Sequence, residues 1–317
     1  MKICDPLFTK TYKNANEFSP NPGSIYILGD SPEQRSAHYK YWMSTVSDVE
    51  FINIIKQDTS YFDAQTKDSE EHINLRSIDQ LKNFLEKFNR DSIYLDITGL
   101  AHHIWAPLLK ASLSMFKHLM AVYVEPASYR FSSTPKEGEI FDLSERISGI
   151  SPIPGFISLK DPPDEEKVCF VPLLGFEGAR LAYLIEQVQP PGEKIWPIIG
   201  VPGFRPEYPF FSYHGNQLPL LRTHAWKNVR YAIANCPFSL FYTLEIIASE
   251  IPDNFIKIAP IGTKPHALGA ILYSLENPDS VELVYDHPIR KKERTEGIDR
   301  LLVYNISSFI ARSQEQL

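Results

Sequence analysis

Between Phe255 and Pro288 the chain reads FIKIAPIGTKPHALGAILYSLENPDSVELVYDHP, and no other stretch restricts the fold as strongly. Phe255 to Ile258 is an apolar run short enough for a buried strand, and a polar turn with Gly262, Thr263, Lys264 and His266 follows. Ala267 to Leu275 then places Ala, Leu and Ile at helical spacing, and a second apolar run, Val281 to Tyr285, ends at Asp286-His287-Pro288. Strand, turn, helix and strand in this order form the unit of a parallel α/β sheet. Ligands of such sheets bind beyond the carboxyl ends of the strands. The Gly262-Thr263-Lys264 turn falls there, where backbone N–H groups at a helix start, a hydroxyl and an ammonium suit an anion.

The rest of the chain repeats this alternation. Ser24 to Leu28 reads as a strand, followed by a helix start at Asp30-Ser31-Pro32 that runs to about Met43. Val49 to Ile55 is the next strand, and the polar residues 56–76 read as a loop. Ser77 caps an amphipathic helix to Asn89, with Ile78, Leu81, Phe84, Leu85 and Phe88 on one face. Strands at Ile93–Ile97 and Leu119–Val124 flank a helix from Ile104 to Phe116. Residues 127–166, rich in Pro, Ser and acids, read as a connection between lobes. Beyond it come a strand at Val168–Leu174, a helix at Leu181–Val188, a strand at Ile195–Val201 and a Pro/Gly/aromatic loop at 202–223. A strong helix at Phe238–Ser249 precedes the central unit, and Leu301–Ile306 is the last strand. The expectation is two Rossmann-like lobes with mainly parallel sheets, 1–126 and 167–317, joined by 127–166.

The two halves echo one another. SIYILGDSPEQRSAHYKYW followed by DVEFINII matches VCFVPLLGFEGARLAYLIEQ followed by EKIWPIIGV in order and type. IYLDITGLAHHIWAPLL with AVYVEP matches IKIAPIGTKPHALGAIL with ELVYDHP, which aligns Gly29 with Gly175 and Gly99 with Gly262. An internal duplication accounts for this, although generic βαβ units also share strands and glycine turns. With a duplication, the turn loops of both lobes share one cleft.

Composition narrows the chemistry. The 317 residues carry 32 basic and 39 acidic side chains, a net charge of −7, which argues against non-specific nucleic-acid binding. Cys4, Cys169 and Cys236 are scattered without CxxC spacing and read as reduced cytosolic thiols. No charged-then-apolar leader is present and no apolar run approaches the ~18 residues of a membrane span. The expected location is therefore cytoplasmic. The spacings of a P-loop, of GxGxxG, of HExxH and of GxSxG are all missing, so no ATPase, dinucleotide, metal or serine-hydrolase reading is supported. Neither a cofactor nor a metal is expected.

What remains is a set of candidate ligand contacts. From the first lobe these are Gly29, Asp30, Arg35, Thr98, Gly99 and His102. From the second they are Gly175, Arg180, Gly262, Thr263, Lys264, His266 and Asp286. Arginine suits bidentate contact with phosphate, and the bland alternative is an ion pair of Arg35 with Glu33 or Arg180 with Glu177. His102 and His266 sit at helix starts, where a histidine acts as general acid or base, contacts a ligand, or merely packs. Phe204, Tyr208, Phe210, Phe211 and Tyr213 suit base stacking or a protein contact.

The strand–Gly-Thr-Lys–helix–strand pattern at 255–286, with its echo at 93–125, resembles the ligand-binding turn of CRISPR-associated Rossmann-fold sensor domains. The resemblance covers about a fifth of the chain. It implies a cleft between two Rossmann-like lobes that binds cyclic oligonucleotides, in a sensor or partner subunit of a prokaryotic antiviral defence system. Such sensors usually carry a fused effector, and no nuclease or DNA-binding segment is recognisable here. The leading expectation is a nucleotide-type ligand sensor. The alternatives are an enzyme acting on a nucleotide or phosphorylated metabolite, and a scaffold that docks a protein partner or a second copy.

Overall fold

The computed structural model describes residues 8–136, 138–156, 167–252 and 255–315. The chain is mixed α/β and divides into two compact units, one of Asp5–Tyr129 with Thr295–Leu317 and one built on Arg130–Arg294.

In the first unit, strands β1 (Thr9–Tyr12), β2 (Ser24–Gly29), β3 (Val49–Gln57), β4 (Tyr61–Gln65), β5 (Glu70–Asn74), β6 (Ser92–Asp96) and β7 (His118–Val124) share one sheet. The last strand of the chain, Leu301–Asn305, lies between β1 and β7 and is antiparallel to both. Its place in the sequence assigns it to the second lobe, but its apolar residues complete the first sheet instead. The four central strands, in order β7-β6-β2-β3, are parallel. All six residues of β2 are buried, as a strand covered on both faces requires. Helix α1 (Ile78–Glu86) is capped by Ser77, whose Oγ accepts from the Gln80 N–H at 3.3 Å, and it buries Leu81, Phe84 and Leu85. Helix α2 (His102–Leu113) is buried along most of its length. Edge-on ring contacts of Phe18 with Trp42 and Tyr94 fill one face of the sheet.

Two local expectations fail here for identifiable reasons. Residues 56–76 form the meander of β4 and β5 rather than a loop. The two-residue alternation is present, with Phe62 and Ala64 buried and Tyr61, Asp63 and Gln65 turned outward, but the polar outer face masks it. The helix expected after Pro32 is a 3-10 run, Gln34–Tyr41.

In the second unit, β10 (Val168–Pro172), β13 (Phe255–Ala259) and β14 (Val281–Leu283) are parallel neighbours. Strands β11 (Ile198–Gly200) and β12 (Arg230–Ala232) pair in parallel, and the Phe170–Ile195 and Leu173–Ile198 bridges tie β11 to β10. The resulting order is β12-β11-β10-β13-β14. Helix α3 (Gly178–Val188) follows β10, α6 (Pro237–Glu250) follows β12 and α7 (Lys264–Glu276) follows β13. The expected loop at 202–223 instead holds two short helices, α4 (Tyr208–Gly215) and α5 (Gln217–Arg222), the first carrying a proline within its opening turn. Proline is tolerated at that position because its missing N–H would be unpaired there anyway. Pro197 stays outside β11, which shortens the strand expected at 195–201. The connection at 127–156 carries β8 (Ser128–Tyr129) and β9 (Ser144–Ile147), the latter antiparallel to β15 (Pro288–Arg290).

Cys169 is a buried free thiol, whereas Cys236 is disulfide-bonded, which corrects the expectation of three reduced thiols. Scattered positions in sequence say nothing of which thiols meet in space. Cys4 lies outside the described residues. Among those residues no helix is long and apolar enough to cross a membrane.

The glycine turns are tight in both units. A Cβ on Gly99 would fall 2.0 Å from the Gly29 carbonyl oxygen, and one on Gly175 would fall 2.8 Å from the Ile261 oxygen. Both obstacles are backbone, which cannot swing aside. Gly99→Ala should therefore destabilise the protein by about 1–3 kcal/mol through overpacking. Urea denaturation checks this, and an unchanged midpoint would refute the close-approach account.

Candidate functional site

The residues singled out in the first unit mostly face inward. Arg35 is buried, and its Nε donates to Glu33 Oε2 at 2.6 Å while Nη1 donates to Tyr123 Oη and the Val124 carbonyl. Burial opposes its charge, yet Tyr123 and Glu33 hold the guanidinium above the ordinary arginine range. The Glu33 pairing is thus present. Thr98 Oγ1 accepts from the Val124 N–H, and the Thr98 N–H donates to Asp96. His102 is buried with its ring against Trp105. Gly29 and Gly99 meet as described above. Only Asp30 is exposed, at the edge of a depression of about 290 Å³ shared with Ser36, Tyr39 and Lys40. One network had no sequence signal: Tyr26 Oη donates to Asp96 at 3.2 Å and lies 3.1 Å from His38 Nε2, all three being buried. Burial first, then Asp96, pushes the Tyr26 phenol well up.

The Gly262-Thr263-Lys264 turn is also packed. A Cβ on Gly262 would lie 2.9 Å from the Leu173 and Leu174 carbonyl oxygens. Thr263 caps α7, accepting from the His266 N–H at 3.3 Å while its hydroxyl donates to the Ala234 carbonyl at 2.7 Å. Lys264 is buried at the helix start. His266 is 1% exposed, its Nε2 donates to the Ile233 carbonyl at 3.1 Å, and burial pushes its pKa down to about 4. Its Nδ1 has no hydrogen-bond partner among the described residues.

Arg180 extends from the first turn of α3 into the strand ends. Its Nε and Nη2 donate to the two carboxylate oxygens of Asp286 at 2.7 and 2.6 Å, and Nη1 donates to the Ile261 carbonyl. The partner is therefore Asp286 rather than Glu177. Burial works against the charge, and the Asp286 carboxylate more than offsets it.

Arg180 also lines a cavity of about 450 Å³ at the start of α3. Glu177 holds its wall in place, accepting from the Leu143 and Ser144 N–H groups at 2.9 and 2.8 Å and from the Ser144 hydroxyl. The rings of Phe141 and Phe176 line another side: Phe141 stacks on Phe176 at 4.5 Å and on Phe131 at 4.9 Å, with Phe211 edge-on to Phe141. The side chain of the N-cap residue Glu177 makes no bond to the first turn of α3, whose Gly178 and Ala179 line the cavity. Among the charged residues of the lining, Glu177 is satisfied by the loop, Asp142 pairs with Lys291, and Arg180 pairs with Asp286. Lys136 and Arg146 have no ion-pair partner among the described residues. Lys136 and Arg146 are thus the two cations of the lining that no carboxylate engages, balanced in charge by Glu139 and Glu177.

No protein-family model matches the chain, and no curated protein matches it significantly. The chemistry of the site rests on its own geometry.

Sequence reasoning placed Arg180 at this site but missed its walls. Lys136, Phe141 and Arg146 lie in the stretch read as a connection, and nothing local marks them as converging. Among the described residues no cluster of His, Cys, Asp and Glu is arranged to hold a metal ion.

Proposed function

We propose that this protein binds or senses a nucleotide-type ligand in the cavity at the start of α3. The observation that carries the reading is the meeting of three elements: an uncapped helix N-terminus, two unpaired cations at Lys136 and Arg146, and the Phe141–Phe176 ring stack. Phosphate oxygens suit the first two, and a purine or pyrimidine face suits the third. The strand order β12-β11-β10-β13-β14 is that of doubly wound nucleotide-binding sheets, with α3 opening beside the point where the order reverses. The first unit repeats β3-β2-β6-β7 in the same sense, which supports reading both as Rossmann-like copies of one ancestral lobe. The resemblance to CRISPR-associated Rossmann-fold sensors extends the proposal to a subunit of a prokaryotic defence system. Burial of His102 and His266 weighs toward binding rather than acid–base catalysis. A docking role for α4 and α5 is the second reading, favoured by Phe210, which is 75% exposed while its neighbour Phe211 packs into the ring cluster.

Isothermal titration of the full chain with ATP, ADP and AMP tests the leading reading. Lys136→Ala and Arg146→Ala should each weaken binding about tenfold or more, since a charge-assisted contact contributes roughly 1.5–3 kcal/mol. Both side chains are exposed, so melting without ligand should be unchanged. Binding that is absent for all three nucleotides, or unaffected in both variants, would overturn the assignment.

A further inference from the structure

The cavity at the start of α3 continues beyond the first turn of the helix. Gly138, Glu139, Gly178 and Ala179 line it, and the same four residues line a second cavity of about 490 Å³ between α3 and α5. The two spaces therefore meet around one helix end. They are made of different material. The second is walled by Ala182 and Ile185 from α3 and by Leu218 and Pro219 from α5, and no aromatic ring lines it. Close helix packing shapes this trough: a Cβ on Gly178 would sit 1.9 Å from the Gly215 carbonyl oxygen, so the chain entering α5 lies hard against the start of α3. Ala182 and Leu218 remain exposed along it, Leu218 at 58%. Its charged lining is Arg222 with Glu139 and Glu186.

We infer, resting on the nucleotide reading above, that the ligand carries an aliphatic arm. The ring and phosphates occupy the first cavity, and the arm runs around the α3 start into the trough. A second nucleotide fits this space less well. A base gains most from a stacking face, and the trough offers none. A second phosphate needs uncompensated positive charge, and the trough sets two carboxylates, Glu139 and Glu186, against one cation, Arg222. An alkyl or acyl chain needs only apolar area, which Ala182, Ile185, Leu218 and Pro219 supply.

The test compares ADP, coenzyme A and octanoyl-coenzyme A by isothermal titration against the full chain. Octanoyl-coenzyme A should bind at least tenfold more tightly than coenzyme A, the gain from burying about two methylenes at ~0.8 kcal/mol each. Ala182→Trp fills the trough from an exposed helix position and should abolish that gain while leaving ADP affinity unchanged. Leu218→Glu should do the same and serves as a second variant. ADP binding with no gain from the octanoyl chain would overturn the arm and leave the nucleotide reading standing. A linear diadenylate binding more tightly than ADP, without an acyl gain, would overturn it in favour of a dinucleotide. Failure of every probe would refute the nucleotide reading and the arm with it.

Discussion

Arg180→Met should lower the stability of the protein by about 3–5 kcal/mol. The reason is the Asp286 carboxylate, which is fully buried and accepts hydrogen bonds from Arg180 on both oxygens. Removing the guanidinium strands that charge among apolar strand ends and leaves the Ile261 carbonyl without its donor. Burial alone is not the source of the penalty, because a well-packed apolar pair of similar volume is often as stable as a buried ion pair. The double variant Arg180→Met with Asp286→Leu should therefore recover most of the loss. Urea midpoints of the wild type, both single variants and the double variant close the cycle. A single-variant loss below about 1 kcal/mol, or a double variant no better than Arg180→Met, would show that the pair does not hold the strand ends.

The second large effect is a pH dependence. Burial lowers His266 from 6.5 to about 4, so the folded protein binds fewer protons than the unfolded chain between those values. Stability rises with pH wherever the unfolded state binds more protons. The contribution of neutral His266 is therefore complete above about pH 6.5, is lost progressively down to about pH 4, and changes no further below that. The span corresponds to roughly 3 kcal/mol. His287, also pushed down by burial, adds in the same direction. In His266→Gln the amide keeps a donor for the Ile233 carbonyl but does not titrate, so on acidification through this window its stability should fall less than that of the wild type. Guanidinium titrations at half-unit steps of pH would show the difference. Parallel profiles would mean that His266 is reached by water and protonates freely.

The parts of this architecture that were legible in the sequence are those specified by neighbours along the chain. Strands such as β2 and β10 are continuous apolar runs, and α1 advertises itself through Ser77 and the Leu81-Phe84-Leu85 face. Where the outer face is polar, as in β4 and β5, the same alternation is hidden by Asp63, Glu70 and Glu71. The glycine turns stand out along the chain, where they read as openings for an anion; in space they are places where two strand ends touch. Arg180 shows the limit most plainly. From sequence its natural partner is Glu177, three residues away, yet Glu177 serves the loop at Leu143 and Ser144, and Asp286 takes the guanidinium. The cavity walls were illegible for the same reason, since Lys136, Phe141 and Arg146 meet Phe176 across 30 or more residues of chain.

The pairing of Thr295 with Tyr129 and of Glu296 with Ser128 has a consequence for how the protein is made. It places the exit of the Arg130–Arg294 segment directly beside its entrance, and the Arg130 N–H donates to the Arg294 carbonyl just inside. The second unit is thus a guest looped out of the first. In chain order the whole guest precedes Leu301–Asn305, the strand that sits between β1 and β7 in the host sheet. The host sheet, although its first strands open the chain, is thus completed by residues that follow the guest, and β1 is joined to β7 only through them.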